Sequence, residues 1–133
     1  MSRGRPPKSG INLALPVARA RGRVMAIEQN GETPAMLVIA ADGKVVLVYI
    51  RRVDPFRVTP EEMEAENRRA LALVRSLPSS TDIIREFWPY SKYGTFRFFR
   101  VEDAGLREIG RDGRPLSKTK GNPDPGPAAG GGG

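Results

Sequence analysis

The chain of 133 residues contains no cysteine and no histidine. Without them there are no disulfides, no zinc sites built on thiolate and imidazole, and no Cys–His or Ser–His–Asp nucleophile. Any catalysis would have to rest on carboxylates, lysine, tyrosine or a hard metal such as magnesium. Long apolar runs are missing too: none approaches the roughly 18–20 residues that span a bilayer. The opening "MSRGRPPKSG" is basic and lacks the apolar segment of a secretory signal. These features set an expectation of a cytoplasmic protein with no membrane partner. Acidic residues are absent from positions 1 to 27, which carry Arg3, Arg5, Lys8, Arg19, Arg21 and Arg23.

The chain as a whole is basic, with a net charge of +7 and a pI near 10.4. Clustered positive charge draws polyanions by steering and by counterion release. Nucleic acid is therefore the expected partner, DNA before RNA, with a protein partner or a homodimer as further possibilities. Both ends are poor in core-forming residues. We read residues 1–10 as a flexible basic arm, 11–113 as one globular domain, and 114–133, rich in Gly and Pro, as a disordered tail. A folded part of about 100 residues supports one modest core.

Along the domain, residues 16–30 carry two periodicities. Val17, Ala20, Val24 and Ile27 recur at helical spacing, with Pro16 in the first turn and Gly31 as a C-cap. Arg19, Arg21 and Arg23 alternate as in a strand, Gly22 disfavours a helix, and Asn30-Gly31 suits a hairpin turn. The helical reading is preferred, and it sets Arg19 and Arg23 on one helix face. "AMLVIA" (35–40) and "KVVLVYI" (44–50) are strands joined by a tight turn, and being apolar on both faces they call for cover on both sides. Thr59-Pro60-Glu61-Glu62 is a capping box that starts a helix running to Leu77, just before Pro78. Residues 82–88 and 95–101 alternate as strands, and 105–110 forms a short last one. The fold class is α+β, or small α/β, with a mixed central sheet of four or five strands and one or two helices.

Three stretches could carry chemistry. Arg3-Gly4-Arg5-Pro6, followed by Lys8, resembles the core of the AT-hook, which implies arginines inserted into a narrow A·T minor groove along an extended Gly/Pro path. Seven of the nine aromatic residues lie between Phe87 and Phe99, interleaved with Lys92 and Arg97. Such a segment can stack unpaired bases or simply fill a core, with Phe96 and Phe98 on one face and Arg97 and Phe99 on the other. Trp88, Tyr90 and Tyr93 are the aromatics expected to be partly exposed.

The third is the order strand, turn, strand, capped helix, then "EFWPYSKYGTFRFFRV". This order resembles the PD-(D/E)XK nuclease fold, particularly the small archaeal and Holliday-junction-type members, over residues 16 to 110. The resemblance implies a restriction-endonuclease-like core in which Pro-Asp and Glu-x-Lys hold and use magnesium. Here Pro34-Ala35 stands for the first motif and Tyr49-Ile50-Arg51 for the second, with Glu28 or Glu32 as the helix carboxylate. A phenol does not replace a carboxylate on a hard cation near neutral pH, and Arg51 repels the metal.

The sequence therefore points to a catalytically degenerate scaffold with no cofactor and no catalytic residue. Its nucleic-acid contacts would come from Arg3, Arg5, Pro6, Lys8, Arg19, Arg23, Arg51, Arg52, Lys92 and Arg97. No residue stands out for base readout, so sequence preference should be weak. The alternatives are a magnesium-dependent nuclease with a migrated site and a protein-interaction subunit that uses residues 87–99.

Overall fold

The computed structural model describes residues 10–28, 35–57 and 59–116. A helix, α1 (Gly10–Arg21), leads into three strands, β1 (Arg23–Glu28), β2 (Ala35–Ala41) and β3 (Lys44–Arg52). Two short helices follow, α2 (Pro60–Glu66) and α3 (Arg68–Arg75), and then β4 (Ile83–Tyr90), β5 (Phe98–Glu102) and β6 (Gly105–Ile109). All six strands form one sheet in chain order. Every neighbouring pair is antiparallel except β3 and β4, which run parallel and are connected through α2 and α3. The fold is thus mixed α+β around a central sheet. Among the described residues no helix is long and apolar enough to cross a membrane.

The two periodicities of residues 16–30 both exist, one after the other. The helix reading is corrected: α1 ends at Arg21 and Arg23 opens β1, so Arg19 and Arg23 do not share a helix. Gly22 makes the change possible, because a Cβ there would lie 2.4 Å from the Ala40 carbonyl oxygen. The helix also begins at Gly10, six residues before the expected segment, so Pro16 lies inside it rather than in its first turn and Gly10 belongs to the helix rather than to the arm. Asn30-Gly31 lies outside the described residues. The β2–β3 turn is as expected, with Asp42 and Gly43 both at positive φ (55° and 75°), the type I′ pattern that matches strand twist.

The capping box is present, with the Glu62 amide donating to Thr59 Oγ1 and the Thr59 amide to Glu62 Oε1, both at 3.1 Å. The single helix expected from Thr59 to Leu77 is interrupted at Asn67. That side chain is buried and donates from Nδ2 to the Met63 carbonyl at 2.9 Å, local bonding that competes with helix propagation.

Two cores lie on the two faces of the sheet. Under α1, Ile11, Ala14, Val17 and Ala18 pack on Leu37, Ile39, Val46, Val48, Ile50, Trp88, Phe98 and Ile109. Under α2 and α3, Met63, Ala70, Leu71 and Val74 pack on Tyr49, Phe87, Phe99 and Val101. Phe98 and Phe99 thus take opposite faces as their alternation requires, and Phe96 stacks on Phe98. Trp88, expected near the surface, is fully buried. Its Nε1 donates to Glu86 at 2.8 Å.

Cover on the two faces is unequal. α1 packs on β1, β2 and β3, whereas α2 and α3 pack on β4, β5 and β6. The expectation that residues 35–40 and 44–50 are covered on both sides is therefore met beneath α1 and only in part on the other face, where Tyr49 is buried with Met36 against it. Ala35, Leu37 and Ile39 are buried while Met36, Val38 and Ala40 are only half-buried, and Val45 is 36% exposed.

Candidate nucleic-acid interface

The carboxyl ends of the parallel pair β3 and β4, with the α2–α3 break beside them, gather five of the ten exposed cations among the described residues. β3 ends in Arg51 and Arg52, both exposed, which stand opposite Pro89 and Tyr90 of β4. Immediately after β4, exposed Lys92 sits in the Ser91–Gly94 turn with its ammonium 5.3 Å from the ring centre of Tyr93. The chain enters α1 at this same end. Gly10 is pressed so closely on Tyr90 and Ile50 that a Cβ would lie 2.8 and 2.9 Å from their side chains. Arg3, Arg5, Pro6 and Lys8 lie outside the described residues.

Beside Arg51, the α2–α3 break opens a cleft of about 620 Å³ lined by Arg51, Glu66, Asn67, Arg68 and Arg69. A second cleft, of about 470 Å³, shares Arg51 and adds Arg52, Asp54 and Pro55. Glu66 lies 3.3 Å from Arg57 and answers that cation. Tyr49, behind Arg51, is held above its ordinary phenol value by burial, which outweighs the opposing charge and hydrogen bond of Arg51. Its hydroxyl therefore stays protonated at neutral pH.

Arg68 and Arg69 were not visible as site residues in the sequence. Read within one continuous helix they look like ordinary cations near its negative end, and only the break at Asn67 brings them beside Arg51. The available signal was an asparagine in mid-helix followed by two arginines.

The other sequence candidates are distributed differently. Arg23 pairs with Ala40 next to the β2–β3 turn, at the opposite end of the sheet from Arg51. Arg19, in the last turn of α1, is likewise remote from the helix start at Gly10. Arg97 is engaged internally. It donates to both carboxylate oxygens of Glu108, at 2.9 and 2.7 Å, and to the Arg57 carbonyl, with Phe56 and Phe99 against its guanidinium. Its role is to hold β6 and the 53–57 loop.

The positions matched to the nuclease motifs divide between the two faces of the sheet. Ala35 is buried beneath α1, whereas Tyr49 belongs to the core beneath α2 and α3. The cross-strand neighbour of Tyr49 is Met36, itself opposite Glu28 of β1. Pro34 and Glu32 lie outside the described residues. Among the described residues no group of three or more His, Cys, Asp or Glu is placed to hold a metal ion. No family model, curated protein or solved structure matches the chain.

Proposed function

We propose that the protein binds nucleic acid, DNA in preference to RNA, through the cationic end of its sheet. One observation carries the proposal: Arg51, Arg52, Arg68, Arg69 and Lys92 converge on the carboxyl ends of two parallel strands, where the chain also enters α1. In open sheets with parallel strands the crevice beyond the carboxyl ends is the usual ligand site, and arginine forks match phosphate geometry. Arg3 and Arg5, which precede Gly10 in the chain, are proposed as minor-groove residues.

The scaffold is a nuclease-like core without its catalytic carboxylates. An α1–β1–β2–β3 meander, a helical crossover and a β4 parallel to β3 support this reading. The register pairs Tyr49 with Met36 and Ala35 with Ile50, so no carboxylate stands at either pair. Arginine then takes the place of the metal as the charge that meets phosphate. The protein is a binder rather than a nuclease.

Fluorescence anisotropy of the full chain with A·T-rich and G·C-rich duplexes, in a salt series without metal, tests the proposal. The expected slope of log K against log salt is about −4 to −7, from several neutralised phosphates. Arg51→Ala with Arg52→Ala should reduce the slope by about 2 while leaving sequence preference unchanged. Absence of binding at low salt would sink the nucleic-acid reading.

A further inference from the structure

The pairing of β4 with β5 is incomplete. These strands pair through Glu86–Arg100 and Phe87–Phe99, and the register does not continue to Ile83, Ile84 and Arg85. Arg85 reaches across the gap instead, its Nη2 donating to the Val101 carbonyl at 3.3 Å. What remains is a cleft of about 470 Å³, lined by Lys44, Ser79, Ser80, Thr81, Arg85 and Arg100. That volume lies within the roughly 300–1,000 Å³ of small-molecule sites. The cleft sits at the amino end of the parallel pair, where Val45 stands opposite Ile83, and Arg51 and Arg52 lie at the other end.

Its side chains offer more donors than free acceptors. Glu102 and Asp103 also line the cleft, and both carboxylates are engaged. Glu102 lies 3.2 Å from Arg107, and Asp103, 96% exposed, accepts from Arg85 at 3.0 Å. Lys44 and Arg100 have no ion pair among the described residues. Ser80 Oγ accepts from the Asp82 amide at 3.2 Å, which leaves its O–H to donate, and exposed Ser79 and Thr81 add two more hydroxyls. Arg85 and Arg100 also hold two of the three buried side-chain nitrogens that lack a hydrogen-bond partner among the described residues, each at Nε. Buried donors are ordinarily satisfied, so these two call for an acceptor that the fold does not provide.

We infer that the cleft binds the phosphate group of a small molecule. Arg100 is half-buried and held by no hydrogen bond among the described residues. It can turn to present Nε and Nη side by side, the fork that matches two phosphate oxygens. Lys44 adds a second charge, and the hydroxyls of residues 79–81 add neutral donors. These groups come from three separate stretches of chain: the start of β3, the loop before β4, and β5. Donors from three directions suit a tetrahedral oxyanion better than the two coplanar oxygens of a carboxylate. The site stands apart from the surface proposed for nucleic acid and does not depend on it.

Proton–nitrogen correlation NMR of the full chain, titrated with inorganic phosphate against chloride at constant ionic strength, is the test. It involves no nucleic acid, so its failure leaves that reading standing. The expected result is a saturable shift of the amides of Lys44, residues 79–81 and Arg100. Arg100→Gln and Lys44→Gln should each weaken binding about tenfold or more, the loss of one charge-assisted contact. Lys44→Gln, beside the β2–β3 turn and in neither core, keeps the test decisive if Arg100→Gln fails to fold. Arg51→Ala with Arg52→Ala should leave phosphate binding unchanged. Shifts that never saturate, or that centre on Arg51 and Lys92, would overturn the inference. Binding indifferent to both Lys44→Gln and Arg100→Gln would overturn it as well.

Discussion

Arg21 shows how much one side chain can carry in a domain of this size. Its guanidinium grips both carboxylate oxygens of Glu86, at 3.0 and 2.7 Å, and lies 5.8 Å from the ring centre of Trp88. Glu86 is fully buried, so this cation and the Trp88 N–H are what make its charge tolerable. Arg21→Ala should cost about 3–5 kcal/mol in urea unfolding, because it strands a carboxylate in the core. Adding Glu86→Gln should recover part of that loss, since no bare charge then remains. The Glu64–Arg75 pair acts at lower stakes. Two hydrogen bonds from Arg75, at 2.7 and 2.8 Å, hold Glu64 below its ordinary value of 4.5. Lowering a carboxyl pKa on folding adds stability above the unfolded value, and this is lost as pH falls through the folded one. Melting temperature against pH should therefore drop less steeply below pH 4.5 in Glu64→Gln.

At the scale of elements, what could be read early is what local physics fixes. The β2–β3 hairpin and the capping box at Thr59 need only their own residues, and both form as the sequence indicates. Residues 16–30 hold a helix and a strand pattern in succession, and a window that averages the two cannot show that Gly22 divides them. The reason for that glycine is tertiary: the Ala40 carbonyl of β2 occupies the space a side chain would need. Gly22→Ala should lower stability by roughly 1–3 kcal/mol, as overpacking does, visible as a lower urea midpoint with unchanged slope. The break at Asn67 was hidden for a similar reason. Its bond to the Met63 carbonyl is local, but its burial depends on tertiary packing, and the 3.6-residue repeat runs on through it unchanged.

For the whole molecule, charge was legible as an amount and not as a map. The alternation around Arg97 correctly sorted Phe96 and Phe98 from Phe99, but its ion pair with Glu108 depends on the β5–β6 pairing. The basic segment from Arg3 to Arg23 read as one patch, yet α1 spans its middle and carries Arg19 and Arg23 away from Arg51 and Arg52.

The strand order has a kinetic consequence. Because the sheet runs β1 to β6 in chain order, each antiparallel pair joins neighbours in sequence, and such pairings close short loops at small entropic cost. Only β3 with β4 must wait for a long excursion, the stretch from Val53 to Asp82 that contains α2 and α3. The β1–β2–β3 meander under α1 and the β4–β5–β6 meander can each gather early, and the rate-limiting encounter is the docking of one half on the other. Relative contact order is accordingly low for a six-stranded sheet, and folding should be faster than the strand count alone suggests.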